Sequence, residues 1–179
     1  MNMPPLVARA RGAAAEVGFE STCRDEDGLL LHVIAGRRGI ERVAEIGGGV
    51  GVGSAWLASA LPPGVPLFTA ELDAGRAAAA TAVFADDPDV HVLHGDWRAL
   101  LPPLAPFDLL FVAAGDAKAD PDAVVALATP GATLVLDDVS SGPPGPGTRR
   151  RRWLGHPRLT TVELVTAADV HVLVALVRR

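Results

Sequence analysis

The sequence predicts a doubly wound α/β fold, and three observations carry that prediction. Short apolar runs alternate with alanine- and leucine-rich helical stretches along most of the chain. The first run, Val43 to Ile46, breaks into glycines at Gly47, Gly48, Gly49, Gly51 and Gly53, and Ala55 to Leu61 then reads as a helix. The later runs end in acids or run into them, at Glu71, Asp96, Asp116 and Asp137-Asp138. Strand, glycine turn and helix make the first unit of a nucleotide-binding sheet. In such sheets ligands lie outside the carboxyl ends of the parallel strands.

Length and composition frame the rest. The chain has 179 residues, enough for one domain over 1–179, in which residues 1–40 form a helical cover. A net charge of −5 gives no electrostatic footprint for nucleic acid. No apolar run approaches the roughly 20 residues that span a membrane. The stretch MNMPPLVARA lacks the apolar core of a signal peptide. A single cysteine, Cys23, excludes an intramolecular disulfide and reads as an inert buried thiol. A cytoplasmic location is therefore expected. The expected partners are a small-molecule acceptor and, at most, a second copy in a homodimer.

Residues 4–18 read as a helix opened by proline and closed near Gly18. A second helix, Leu29 to Ala35, has Asp25 or Asp27 as its cap. After the glycine turn, Pro62-Pro63-Gly64 is a break, and Pro66 to Glu71 is the second strand. Asp73 caps the alanine-rich helix Ala74 to Phe84. Val90 to Leu93 is a short third strand that runs into His94-Gly95-Asp96-Trp97, and a helix follows from Arg98 to Leu101. His91 and His94 read as structural. Pro106 to Ala113 is the fourth strand, apolar beyond Asp108 as a central parallel strand should be. Pro121 to Ala128 is a helix capped by Asp120, and Ala132 to Leu136 is the fifth strand. Ser140 to Thr148 is too rich in Pro and Gly to be regular. Arg149 to Arg152 reads as a solvated basic run, or as a mobile lid for an anionic acceptor. Leu159–Val165 and Val170–Val177 close the chain as a hairpin. The expected sheet has seven strands, mostly parallel, with the last antiparallel.

The residues at the carboxyl ends suggest a ligand. There is no Gly-Lys-Ser/Thr for a P-loop, and the GxGxxG dinucleotide spacing fits poorly. Glu45, two residues before the first glycine, repels a pyrophosphate but suits a cation. S-adenosylmethionine carries a sulfonium and an ammonium and no phosphate. Glu45-x-Gly47-x-Gly49-x-Gly51, continued by Gly53, resembles the first motif of class I S-adenosylmethionine-dependent methyltransferases. Glu71, with Leu72 beside it, stands where such folds bond ribose hydroxyls, and Asp73 is the second choice. Gly95-Asp96-Trp97 is placed for adenine, with Asp96 accepting from the amino group and Trp97 stacking.

Within that superfamily the chain is similar to the catechol and caffeoyl-CoA O-methyltransferase-like family. The likeness covers nearly the whole sequence, through EIGGGVGVGSAWLA, ELD, HGDWRALLP, FDLLFVAAGDAK and LVLDDV. The resemblance implies S-adenosylmethionine as cofactor and O-methyl transfer to a small hydroxylated acceptor. It also implies a divalent cation such as Mg²⁺ that holds two acceptor oxygens, and a lysine that helps deprotonate the hydroxyl. The expected metal ligands are Asp116, Asp137 and Asp138. Asp137 matches the family pattern, Asp138 replaces an asparagine, and Ala113 stands where the first acid is expected. Lys118, the only lysine beside fifteen arginines, is the candidate base or orienter, with Asp116 in the same loop. Two other readings stand beside this one: a metal-independent methyltransferase with another acceptor, and a non-catalytic S-adenosylmethionine-binding protein.

Overall fold

The structure is a computed structural model that describes residues 3–20, 23–137, 148–167 and 170–179. Asp138 and residues 140–147 of the Pro/Gly stretch lie outside the described residues. One sheet of seven strands organises the chain, in the order β3-β2-β1-β4-β5-β7-β6. Its strands are β1 (Val43–Ile46), β2 (Leu67–Glu71), β3 (Val90–His94), β4 (Phe107–Val112), β5 (Ala128–Leu136), β6 (Leu159–Ala167) and β7 (Val170–Val177). The first five pair in parallel, and β7 lies antiparallel between β5 and β6.

The two central strands are buried on both faces. All four residues of β1 are buried, and β4 alternates its apolar side chains between two cores. Phe107, Leu110 and Val112 point to one side, with Leu134, Trp97 and Trp153. Leu109 and Phe111 point to the other, where α1 (Pro5–Glu16), α2 (Asp25–Ala35), α3 (Val52–Ala58) and α4 (Ala74–Val83) pack. Burial on both faces explains why these strands read as unbroken apolar runs rather than alternating ones. Asp108 anchors the start of β1, accepting from the backbone N–H groups of Glu41 and Arg42 at 3.0 Å each.

Several elements differ from the sequence reading. α2 starts at Asp25, four residues early, because its three first-turn acids suit the positive end of the helix dipole and extend it. Asp116 to Lys118, read as loop, belongs to a short helix α6 (Gly115–Lys118), which follows α5 (Trp97–Leu100). α7 (Pro121–Val125) is shorter than expected, and β5 takes over from Ala128. The arginine run, expected as a loop, is helical. It forms α8 (Arg149–Leu154), capped by the Thr148 hydroxyl and held by Trp153, which is fully buried. Arg150 is ion-paired with Glu163 of β6, and Glu163 also accepts from His171 of β7 at 2.6 Å.

Candidate active site

The glycine turn works through two close approaches. Gly47 has φ +93°, and a Cβ there would lie 2.7 Å from the Ala114 backbone nitrogen, so only glycine lets the turns after β1 and β4 touch. Gly51, at φ +92°, caps α3, and a Cβ on it would strike the Phe84 ring at 2.6 Å. Gly51 thus serves packing against α4, while Gly47, Gly49 and Gly53 line a cavity of about 450 Å³. That cavity runs along the carboxyl ends of β1 to β5. Glu45, Glu71, Leu72, Gly95, Asp96, Trp97, Asp116 and Asp137 share its wall.

Glu45 is 1% exposed. Its Oε2 accepts from the Ser54 and Thr69 hydroxyls, the latter at 2.8 Å. Burial pushes its carboxyl up to about 8, against the pull of those two hydrogen bonds, and the charges of Asp137 and Glu71 add to the rise. Glu71 accepts from Gly49 N at 2.8 Å, from Asp73 N at 2.8 Å and from the Arg76 guanidinium at 2.8 Å. It therefore ties the glycine turn to the end of β2 and presents a braced carboxylate at the cavity. Asp73 caps α4, accepting from Arg76 N at 2.8 Å. Asp96 caps α5, accepting from Arg98 N at 2.9 Å, and still lines the cavity.

Two ion pairs stand near the ends of β4 and β5. Asp116 accepts from Arg98 at 2.6 Å and from the Trp97 indole at 3.0 Å, and Arg98 stacks over that ring at 4.4 Å. Burial raises the Asp116 carboxyl, but the Trp97 and Arg98 hydrogen bonds outweigh it and hold the group below its usual range. Lys118 is 6% exposed and donates to Asp137 Oδ1 at 2.6 Å. Asp137 is on the cavity wall and Lys118 lies behind it. The Lys118 carbonyl accepts from the Trp153 indole at 2.8 Å, so α8 pins α6 from below.

The expected metal ligands fall in part on Asp138, outside the described residues. Mg²⁺ asks for several oxygens in near-octahedral order. Among the described residues no three His, Cys, Asp or Glu side chains gather to hold an ion. Asp116 is turned to Arg98, Asp137 to Lys118, Ala113 offers no donor, and Asp138 lies outside the described residues.

Some site residues carried no signal in the sequence. Phe19, Cys23, Arg24, Asp27 and Arg76 all line the cavity. Asp27 is 3% exposed and accepts from Thr166 at 2.6 Å, bridging α2 to β6. Burial raises the Cys23 thiol, helped by the charges of Asp137, Glu45 and Asp27. Arg76 was visible only as a helical residue, although its i,i+5 reach back to Glu71 follows once Asp73 is recognised as a cap. His91 stacks on Phe68 at 4.9 Å, a packing role.

An O-methyltransferase of Streptomyces achromogenes from tomaymycin synthesis, crystallised with S-adenosylmethionine, superposes with a TM-score of 0.82 at 28% identity, over 99% of this chain and 92% of its own. The chain is thus similar in fold and in sequence to a solved S-adenosylmethionine-dependent O-methyltransferase. An O-methyltransferase from Bacillus cereus bound to S-adenosylhomocysteine shares the fold at TM-score 0.84 and 20% identity, over 99% of this chain and 93% of that one. A methyltransferase of Podospora anserina, also bound to S-adenosylhomocysteine, does so at 0.82 and 17%, over 100% and 90%. No protein-family profile and no curated protein matches the sequence. No helix among the described residues is long and apolar enough to cross a membrane.

Proposed function

We propose that the protein transfers the methyl group of S-adenosylmethionine to an oxygen of a small hydroxylated acceptor. The observation that carries this reading is one cavity in which Gly47, Gly49, Gly53 and Glu71 meet Asp96-Trp97 on one side and Asp116 and Asp137 on the other. Glu71 takes the ribose hydroxyls. Asp96 accepts from the adenine amino group, and Trp97, fixed by Asp116, walls the adenine site. Glu45 braces the floor of the turn, Leu72 covers the ribose, and Gly95 lets the loop pass close to the base.

The chemistry asked of the protein is modest, because a sulfonium is already an excellent methyl donor. The protein must align an acceptor oxygen with the methyl group and exclude water. Asp137, held in place by Lys118, is the group on the acceptor side that can receive a hydroxyl's hydrogen bond. Asp116 fixes α6, and so Lys118, through Arg98. The net charge of −5 supports a small molecule rather than nucleic acid as acceptor, and the single cysteine supports a cytoplasmic setting. A single domain and a homodimer at most complete the reading.

Transfer of labelled methyl groups to a panel of phenols and alcohols tests it. Labelled product supports the enzyme. Cofactor binding with no transfer to any member of the panel favours the non-catalytic binding protein.

A further inference from the structure

We propose that Arg76 is a built-in competitor for the ribose-binding carboxylate. Its guanidinium holds the position on Glu71 that one ribose hydroxyl of the cofactor would take, and so sets how tightly the cofactor and its product are held. The inference rests on the methyl-transfer reading above and gives Arg76 a part in cofactor affinity and release.

An ionised carboxylate offers about four acceptor positions, two on each oxygen. Glu71 is buried and already meets four donors. Its Oε2 accepts from Gly49 N at 2.8 Å. Its Oε1 accepts from Asp73 N at 2.8 Å, and from Arg76 through Nε at 3.1 Å and Nη2 at 2.8 Å. A ribose presents two hydroxyls. One finds room on Oε2, which has a single donor. The other needs Oε1, which is full. Two of the four donors are backbone groups fixed by the fold: Gly49 stands in the glycine turn at φ +55°, and Asp73 is the cap of α4. The Arg76 guanidinium is the donor that can leave. Its side chain is 37% exposed, so water solvates the charge once the pair opens. It also has a resting place, because it lies over the Phe19 ring at 5.2 Å. Phe19, Glu71 and Arg76 all line the cofactor cavity. A guanidinium that slides along that ring yields Oε1 to the hydroxyl without leaving the site. It returns to Oε1 as the product departs, which speeds release.

The experiment is calorimetry on the full chain, wild type against Arg76→Met, with three probes: S-adenosylhomocysteine, its 2′-deoxy form and its 3′-deoxy form. Methionine keeps an apolar stem and removes the donors. Arg76→Met is expected to bind S-adenosylhomocysteine several-fold more tightly than wild type, and to release it more slowly in stopped-flow dissociation. That gain is expected to vanish for at least one deoxy form, the one lacking the hydroxyl that meets Oε1. Binding of S-adenosylhomocysteine by Arg76→Met that is equal to wild type or weaker overturns the inference, because the guanidinium is then only a brace on Glu71. An equal gain with both deoxy forms overturns it as well, since the gain then has nothing to do with a ribose hydroxyl. In either case the methyl-transfer reading stands. If neither protein binds S-adenosylhomocysteine, that reading fails and takes this inference with it.

Discussion

Glu45→Gln separates the charge of the buried acid from its shape. Glu45 is fully enclosed, and its carboxyl titrates at about 8 in the folded protein, against an ordinary value of 4.5. Between those values the folded state holds a proton that the unfolded chain has lost. Stability from this group is therefore complete below the unfolded pKa and is lost as pH rises through the folded one. The slope is about 1.4 kcal/mol per pH unit, so over this interval the total is on the order of several kcal/mol. Glutamine is the neutral isostere, and its carbonyl can still accept from Ser54 and Thr69. Denaturant midpoints for both proteins should be measured from about pH 5 to about pH 8, the interval set by the linkage. The wild-type curve should fall toward high pH relative to the variant, which gains its advantage there. Parallel curves would mean that Glu45 is ionised in the folded protein, and the argument from desolvation would fail.

Glu71→Ala should weaken S-adenosylhomocysteine binding by about 1.5–3 kcal/mol through lost charge-assisted ribose bonds, read by calorimetry. Asp73→Ala should lower the melting temperature by removing the α4 cap while leaving that affinity unchanged; equal affinity losses in the two variants would contradict the assignment. Trp153→Ala should cost about 3–5 kcal/mol in chemical denaturation, as for other buried aromatics, whereas Arg152→Ala should be close to neutral. Similar small effects for both would restore the picture of a loose basic segment. Arg98→Ala should lower turnover by releasing Asp116 and α6, with cofactor affinity less affected than turnover; an unchanged rate would detach the Arg98 clasp from Lys118.

The sheet was legible because its signals are local and agree with one another. Val43 to Ile46, the glycines and the acids at the strand ends each report the same βαβ geometry, and β4 is apolar on both faces because it is covered on both faces. The helices at the site were less legible. α6 is four residues long and needs α8 beneath it, a contact between residues far apart in sequence. α8 looked like a charge run because Trp153, the residue that decides its burial, follows four arginines that do not. The braces on the site acids were hidden for the same reason. Nothing near Glu45 in sequence foretells Thr69, and nothing near Asp27 foretells Thr166, since both contacts are made only when the sheet assembles. Lys118 stood out as the only lysine, yet its place behind Asp137 rather than on the cavity wall follows from the tertiary fold.

The central claim is that the cavity at the carboxyl ends of β1 to β5 is an S-adenosylmethionine site. A calorimetric titration of the full chain with S-adenosylhomocysteine, with NAD as the competitor of different chemistry, tests it most directly. The account predicts saturable one-to-one binding of S-adenosylhomocysteine, weakened in Glu71→Ala, and no heat from NAD. Binding of NAD with none of S-adenosylhomocysteine or S-adenosylmethionine would contradict it.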